Sequence, residues 1–176
     1  MKKINWTVLF FAVVFGFFSC ATNKNAAHEE GRFYEESGGF SIVIPESWQV
    51  TEIPGFKYKA LAGQTENDFT SNINFVDEAF DGELNFYVDA SIEHLETLFG
   101  ENFELLQRGD FVTLKKLNGV RLVTSVSLFN VNARQIMYFF PGKGKKMVIT
   151  CTIPVESGES RDAFFDGIVE TFEWTK

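Results

Sequence analysis

Apolar residues recur at every second position along most of this chain and at every third or fourth position in two places. In "GGFSIVIPESW", Phe40, Ile42 and Ile44 share one face of a strand that Pro45 ends. "FKYKALAG" sets Phe56, Tyr58 and Ala60 against Lys57 and Lys59, the pattern of a half-buried strand, and "TSNINFVDEAF" continues it with Ile73 and Phe75. The period then lengthens. Across "DGELNFYVDASIEHLETLFG", Leu84, Val88, Ser91, Ile92, Leu95 and Phe99 fall three or four apart, which predicts a helix with Asp81 as N-cap and Gly100 as its stop. Glu83, Asp89, Glu93 and Glu96 occupy its other face. Four strand patterns follow, "FELLQRGDFVTLKK", "VRLVTSVSLF", "ARQIMYFF" and "KMVITCTIP". The turns between them, "LNG", "NVN" and "PGKGK", are short enough to require antiparallel hairpins. "SRDAFFDGIVETFEW" ends the series as a second helix, with Phe164, Phe165, Ile168, Val169 and Phe172 on one face and Ser160 as its cap. Three strands, a helix, a four-strand meander and a C-terminal helix make an antiparallel sheet covered by helices, an α+β domain.

The first twenty residues follow another rule. Lys2 and Lys3 precede "WTVLFFAVVFGFF", a 13-residue apolar run from Trp6 to Phe18 that reads as the core of a secretory signal peptide. A spanning helix needs about 20 such residues, so the run is too short for an ordinary anchor. Ser19 and Cys20 follow it directly, in the arrangement of a bacterial lipoprotein signal, although Phe17 stands where leucine is preferred. Cleavage before Cys20 and acylation of its thiol would make that residue a membrane anchor, since two or more acyl chains hold a protein stably where one does not. The alternative is an ordinary secretory cut a few residues later, near "CATNKNAA". On the lipoprotein reading, residues 1–19 are the signal peptide, 20–37 a flexible polar tether and 38–176 the folded domain. The location is then the cell envelope, facing the periplasm or the surface.

Charge and cysteine content narrow the function. Loss of residues 1–19 leaves 157 residues, enough for one real core, and takes two lysines but no acid, so the net charge moves from −8 to −10. That balance argues against general nucleic-acid binding, which needs cationic surface for phosphates. Cys151 alternates with Met147, Ile149 and Ile153 and is expected to be a buried, unreactive thiol. The 16 phenylalanines of the mature chain sit mainly in strand and helix patterns and are core material.

"GFSIVIPESW", "KLNGVRLVTSVSLF", "RQIMYFFPGKGKKMVITCTIP" and "FFDGIVETFEW", taken in this order, resemble the PsbP-like superfamily. That group takes in the photosystem II extrinsic protein, DcrB-type bacterial lipoproteins and Ran-binding Mog proteins. The resemblance covers nearly all of residues 38–174. It implies an α/β/α sandwich with a central antiparallel sheet of about six or seven strands flanked by helices. It also implies a non-enzymatic role in binding or assembling other proteins, and it brings no catalytic set with it.

Catalytic chemistry finds little footing in the residues themselves. His28 lies in the tether and His94 is the one histidine of the domain, beside Glu93 and near Glu96, where a zinc site would need three or four converging ligands. Asp77, Glu78, Asp81 and Glu83 lack the ligand spacing of a calcium loop. No nucleophile elbow, phosphate loop or dinucleotide fingerprint is present, and "PGKGKK" has the wrong glycine spacing for a phosphate loop. No catalytic residue, metal ligand or cofactor is therefore assigned.

The expected function is that of a membrane-anchored, non-catalytic envelope lipoprotein that binds or scaffolds protein partners. A carrier with an apolar pocket between sheet and helix, and a hydrolase with dispersed carboxylates, are the alternatives. A docking surface is expected where alternate turns of the meander meet: Lys115 and Lys116 in one, Lys143, Lys145 and Lys146 in the other. An anionic partner or lipid headgroups would suit it. The plainer use of such lysines is to solvate tight turns and guard sheet edges.

Overall fold

The computed structural model of the protein describes residues 31–66, 69–128 and 131–175. The signal-like segment, Cys20 and His28 lie outside the described residues. In chain order the elements are β1 (Arg32–Glu35), β2 (Phe40–Val43), β3 (Gln49–Thr51), β4 (Ala60–Glu66), β5 (Phe69–Ala79) and α1 (Leu84–Phe99). Then come β6 (Phe103–Val112), β7 (Asn118–Leu128), β8 (Val131–Gly142), β9 (Lys145–Pro154), α2 (Asp162–Val169) and β10 (Glu173–Trp174). Seven strands pair antiparallel in the order β3-β4-β5-β9-β8-β7-β6. This is the expected α+β architecture, with helices on both faces of the sheet.

Strict alternation along the central strands builds two cores. Ile136, Tyr138 and Phe140 of β8 join Met147, Ile149, Cys151 and Ile153 of β9 on one face. Met137, Phe139 and Val148 face the other way, where α1 lays down Tyr87, Val88 and Leu95. The first face is closed by α2 together with a second sheet, β1-β2-β10, through Phe33, Phe40, Ile42, Phe165 and Phe172. Gly119 permits a close approach there, since a Cβ at that position would stand 2.6 Å from the Phe139 carbonyl oxygen.

Several local expectations are corrected. Residues 32–35, placed in the tether, form β1, because Phe33 finds the rings of Phe40 and Phe75 and Arg32 reaches Ser41 and the Thr171 carbonyl. Phe56 and Tyr58 precede β4 rather than belonging to a strand. The turn between β6 and β7 is Thr113–Leu117, closed by the Thr113 amide on the Leu117 carbonyl, and Asn118 already belongs to β7. α1 is capped by the backbone of Glu83 rather than by Asp81, because the Phe80 amide is tied to the Gly144 carbonyl and the helix opens only afterwards. Ser160 lies in a 3-10 stretch, Val155–Arg161, and donates to the Ser157 carbonyl instead of capping α2. Phe164 is turned outward against Trp48, 43% exposed, and Phe172 is buried just beyond the helix end.

α2 is held by charge as well as by burial. Asp162 accepts hydrogen bonds from Arg134 Nε and Nη2 at 3.0 and 2.9 Å and from Arg121 Nη2 at 3.0 Å. One turn later Asp166 accepts from Arg121 Nε at 2.7 Å and from the Tyr138 hydroxyl. Burial would push the Asp162 carboxyl up, but the two guanidinium groups outweigh it and hold it below the usual carboxylate range.

Candidate functional site

Because β9, β8, β7 and β6 are consecutive neighbours, the β6–β7 turn and the β8–β9 hairpin emerge at one end of the sheet. The hairpin turns on Lys143 and Gly144, with Gly144 at φ 67°, a conformation that glycine adopts without steric cost. The two lysine-bearing turns thus share one end, as alternate turns of a meander must. The five side chains divide into two sets.

Lys145 and Lys146 alternate to opposite faces. Lys145 Nζ donates to Asp77 Oδ2 at 3.0 Å and to the Gly38 carbonyl at 3.1 Å, and it lies 4.8 Å from the centre of the Trp174 ring. Trp174 is in turn fixed by its indole N–H on the Pro141 carbonyl at 3.0 Å. Lys146 is 5% exposed. Its ammonium donates to the Phe80 carbonyl at 3.1 Å and sits over the Phe80 ring. These two lysines belong to the fold.

Lys115, Lys116 and Lys143 are exposed. Lys115 makes one contact with Glu173 at 3.5 Å while its side chain stays 67% exposed, an arrangement worth little in water. Lys116 has φ 62°, and its amide donates to the Thr113 carbonyl at 2.8 Å within the turn. The turn itself is pinned by the Leu114 amide on the Glu170 carbonyl at 2.7 Å, leaving the Leu114 side chain 65% exposed beside the lysines. A braced end thus presents three cations and an apolar side chain to solvent.

Asp77 is the hub that fixes Lys145. Its side chain is 7% exposed and accepts from Lys57 at 2.7 Å, the Tyr58 hydroxyl at 2.7 Å and Lys145. Burial raises its pKa, but the three donors outweigh that and leave it lowered. Burial also pushes the Tyr58 hydroxyl up to about 12. Motifs alone miss this hub, yet a signal was present: Asp77 continues the Ile73–Phe75 face of β5, so a carboxylate stood at a core position. Its neighbour Glu78 faces the α1 side, where burial raises its pKa and the Tyr87 hydroxyl donates to Oε2 at 2.7 Å. The acids Asp77 and Glu78 therefore do not converge. Among the described residues no group of three or more metal-binding side chains comes together.

No protein-family model matches the sequence, and no curated protein matches it. Solved structures do. Cyanobacterial PsbP (CyanoP) from Synechocystis sp. PCC 6803 is similar at TM-score 0.62 and 12% identity, over 89% of this chain and 97% of that one. LpqN, involved in cell envelope biogenesis of Mycobacterium tuberculosis, is similar at TM-score 0.55 and 15% identity, over 76% and 81%. The Saccharomyces cerevisiae Ran-binding protein Mog1p is similar at TM-score 0.55 and 12% identity, over 82% and 95%. At such identities the likeness is one of fold: the chain has the PsbP-like fold that its pattern order resembles.

Proposed function

We propose that this PsbP-like chain is a membrane-anchored, non-catalytic lipoprotein of the bacterial cell envelope, acylated at Cys20, whose domain binds a protein partner through the hairpin end of its sheet. The observation that carries the reading is the exposed set Lys115, Lys116 and Lys143 on a turn end whose backbone and other lysines are fixed. A fixed turn backbone limits the freedom lost on docking, and the exposed cations steer an anionic surface toward it. Use of the same fold by a Ran-binding protein and by a protein of envelope biogenesis supports a binding role in the envelope.

The core argues for a scaffold over a carrier. Phe40 lies 5.0 Å from Phe75, 5.3 Å from Tyr58 and 5.8 Å from Phe172, ring centre to ring centre, and Phe140 stacks on Phe172 at 5.1 Å. The faces an apolar ligand would use are occupied by other rings. The buried carboxylates Asp77 and Asp162 likewise spend their oxygens on lysine and arginine rather than facing an open cleft.

Two measurements test the proposal. A fatty-acid analogue should label the wild-type chain and not Cys20→Ser; an unlabelled wild type would end the lipoprotein reading. Crosslinking in intact cells should capture a partner whose yield falls in the triple variant Lys115→Glu, Lys116→Glu, Lys143→Glu, with the loss largest at low salt. Lys146 is left unchanged, because reversing a buried lysine would test folding instead. Capture indifferent to both the substitutions and salt would remove the docking surface.

A further inference from the structure

β6 closes one side of the seven-stranded sheet, and among the described residues no strand pairs with its outer edge. It is ten residues long, against three for β3 at the opposite edge. Nearly every residue of β6 is exposed on both faces, and Leu105, Leu106 and Val112 leave 36%, 42% and 45% of their surface in water. Long open edges of this kind are templates for another strand.

The centre of the strand holds an unexplained glycine. Gly109 pairs with Arg121 in the regular part of the ladder and is absent from the residues with positive φ. A Cβ built on it would meet nothing within 4 Å. Neither local conformation nor packing within the chain calls for glycine, which weakens a strand interior. Strand glycines recur at bulges, one of which lies between Leu105 and Gln107, and where another backbone approaches closely. Arg108 and Asp110 flank it, on the same face of the sheet, where Arg108 reaches Asp89 and Asn85 of α1.

These features specify a partner. In an antiparallel pair, opposite residues share the same hydrogen-bonding orientation, so a twofold self-pairing must centre on a residue and not between two. Centring on Arg108 or Asp110 would set like charges against each other. Centring on Gly109 sets Arg108 opposite the partner copy's Asp110 twice over, within the regular ladder that runs from Gln107 to Val112. Charges that guard the edge against other strands are complementary to their own rotated copy.

We infer that β6 is a homodimerisation strand: two copies of this chain pair their β6 edges antiparallel about Gly109 and join their sheets into one. The inference is independent of the docking role of the lysines, which lie in the β6–β7 turn and the β8–β9 hairpin.

The test uses the full-length chain, dispersed in a non-denaturing detergent and weighed by native mass spectrometry over a range of concentrations. Wild type should dimerise. Asp110→Arg and Arg108→Asp should each raise the dimer dissociation constant by at least about tenfold, since each sets two like-charge pairs across the axis. Mixing these two variants should restore dimers that contain one copy of each, because the two acids of one strand then face the two arginines of the other. Circular dichroism of the separate variants checks that each is folded, the Arg108–Asp89 pair being exposed and dispensable. A monomeric wild type would overturn the inference. Dimers indifferent to both reversals, or variants that fail to recombine, would overturn it as well.

Discussion

Asp77→Asn probes whether the hub that joins Lys57, Tyr58 and Lys145 is held by charge. The native carboxylate is 7% exposed and accepts three hydrogen bonds. Asparagine keeps one oxygen, enough for the Tyr58 hydroxyl and a weakened bond from Lys145, and turns its amide toward Lys57. The Lys57 side chain is 58% exposed and can swing into water, so its loss costs well under 1 kcal/mol. Lys145 is 27% exposed and gives up a charged acceptor, which costs more, about 1.5 kcal/mol. The variant should therefore be about 2 kcal/mol less stable at pH 7. Asp77 has a lowered pKa in the folded protein. A carboxyl of that kind contributes stability above its unfolded pKa and loses it as pH falls through the folded value. Urea unfolding of both proteins at pH 7 and near pH 3, followed by circular dichroism, should show the difference shrinking in acid. Asp162 titrates in both proteins and cancels from the comparison. A deficit of equal size at both pH values, or none at pH 7, would refute a charge-based role.

Ile42→Asp should abolish stable folding or cost more than about 4 kcal/mol, because Ile42 is fully buried between the second sheet and the main one; an unchanged melting temperature would invert the faces of β2. Cys151 should resist a thiol reagent in the native protein and react only on unfolding, since complete burial raises its pKa well above the usual value; prompt native reaction would place it at the surface.

By itself, the sequence determined what depends on near neighbours. The meander from β6 to β9 was readable because hairpins leave no other topology, and the buried face of β9 followed from a period of two. The buried positions of α1 were mostly readable from a period near 3.6, with Tyr87 the omission. That the turns carrying Lys115 and Lys143 lie at one end of the sheet was legible for the same reason.

Pairings over long separations were decided only by the tertiary structure. β10, two residues near the C-terminus, completes a sheet with β1 and β2, which no local pattern announces. Arg121 and Arg134 sit in apolar strands and read as interruptions until Asp162 and Asp166 of α2 arrive to neutralise them. Alternation put Lys145 and Lys146 on opposite faces, but only the packed neighbours turned one into a partner of Asp77 and the other into a buried ammonium on the Phe80 carbonyl. A charged side chain on a strand has the same local propensity whether it faces water or a partner. Which of the two it meets is set by the free energy of desolvation against pairing, and that is fixed only when distant segments come together.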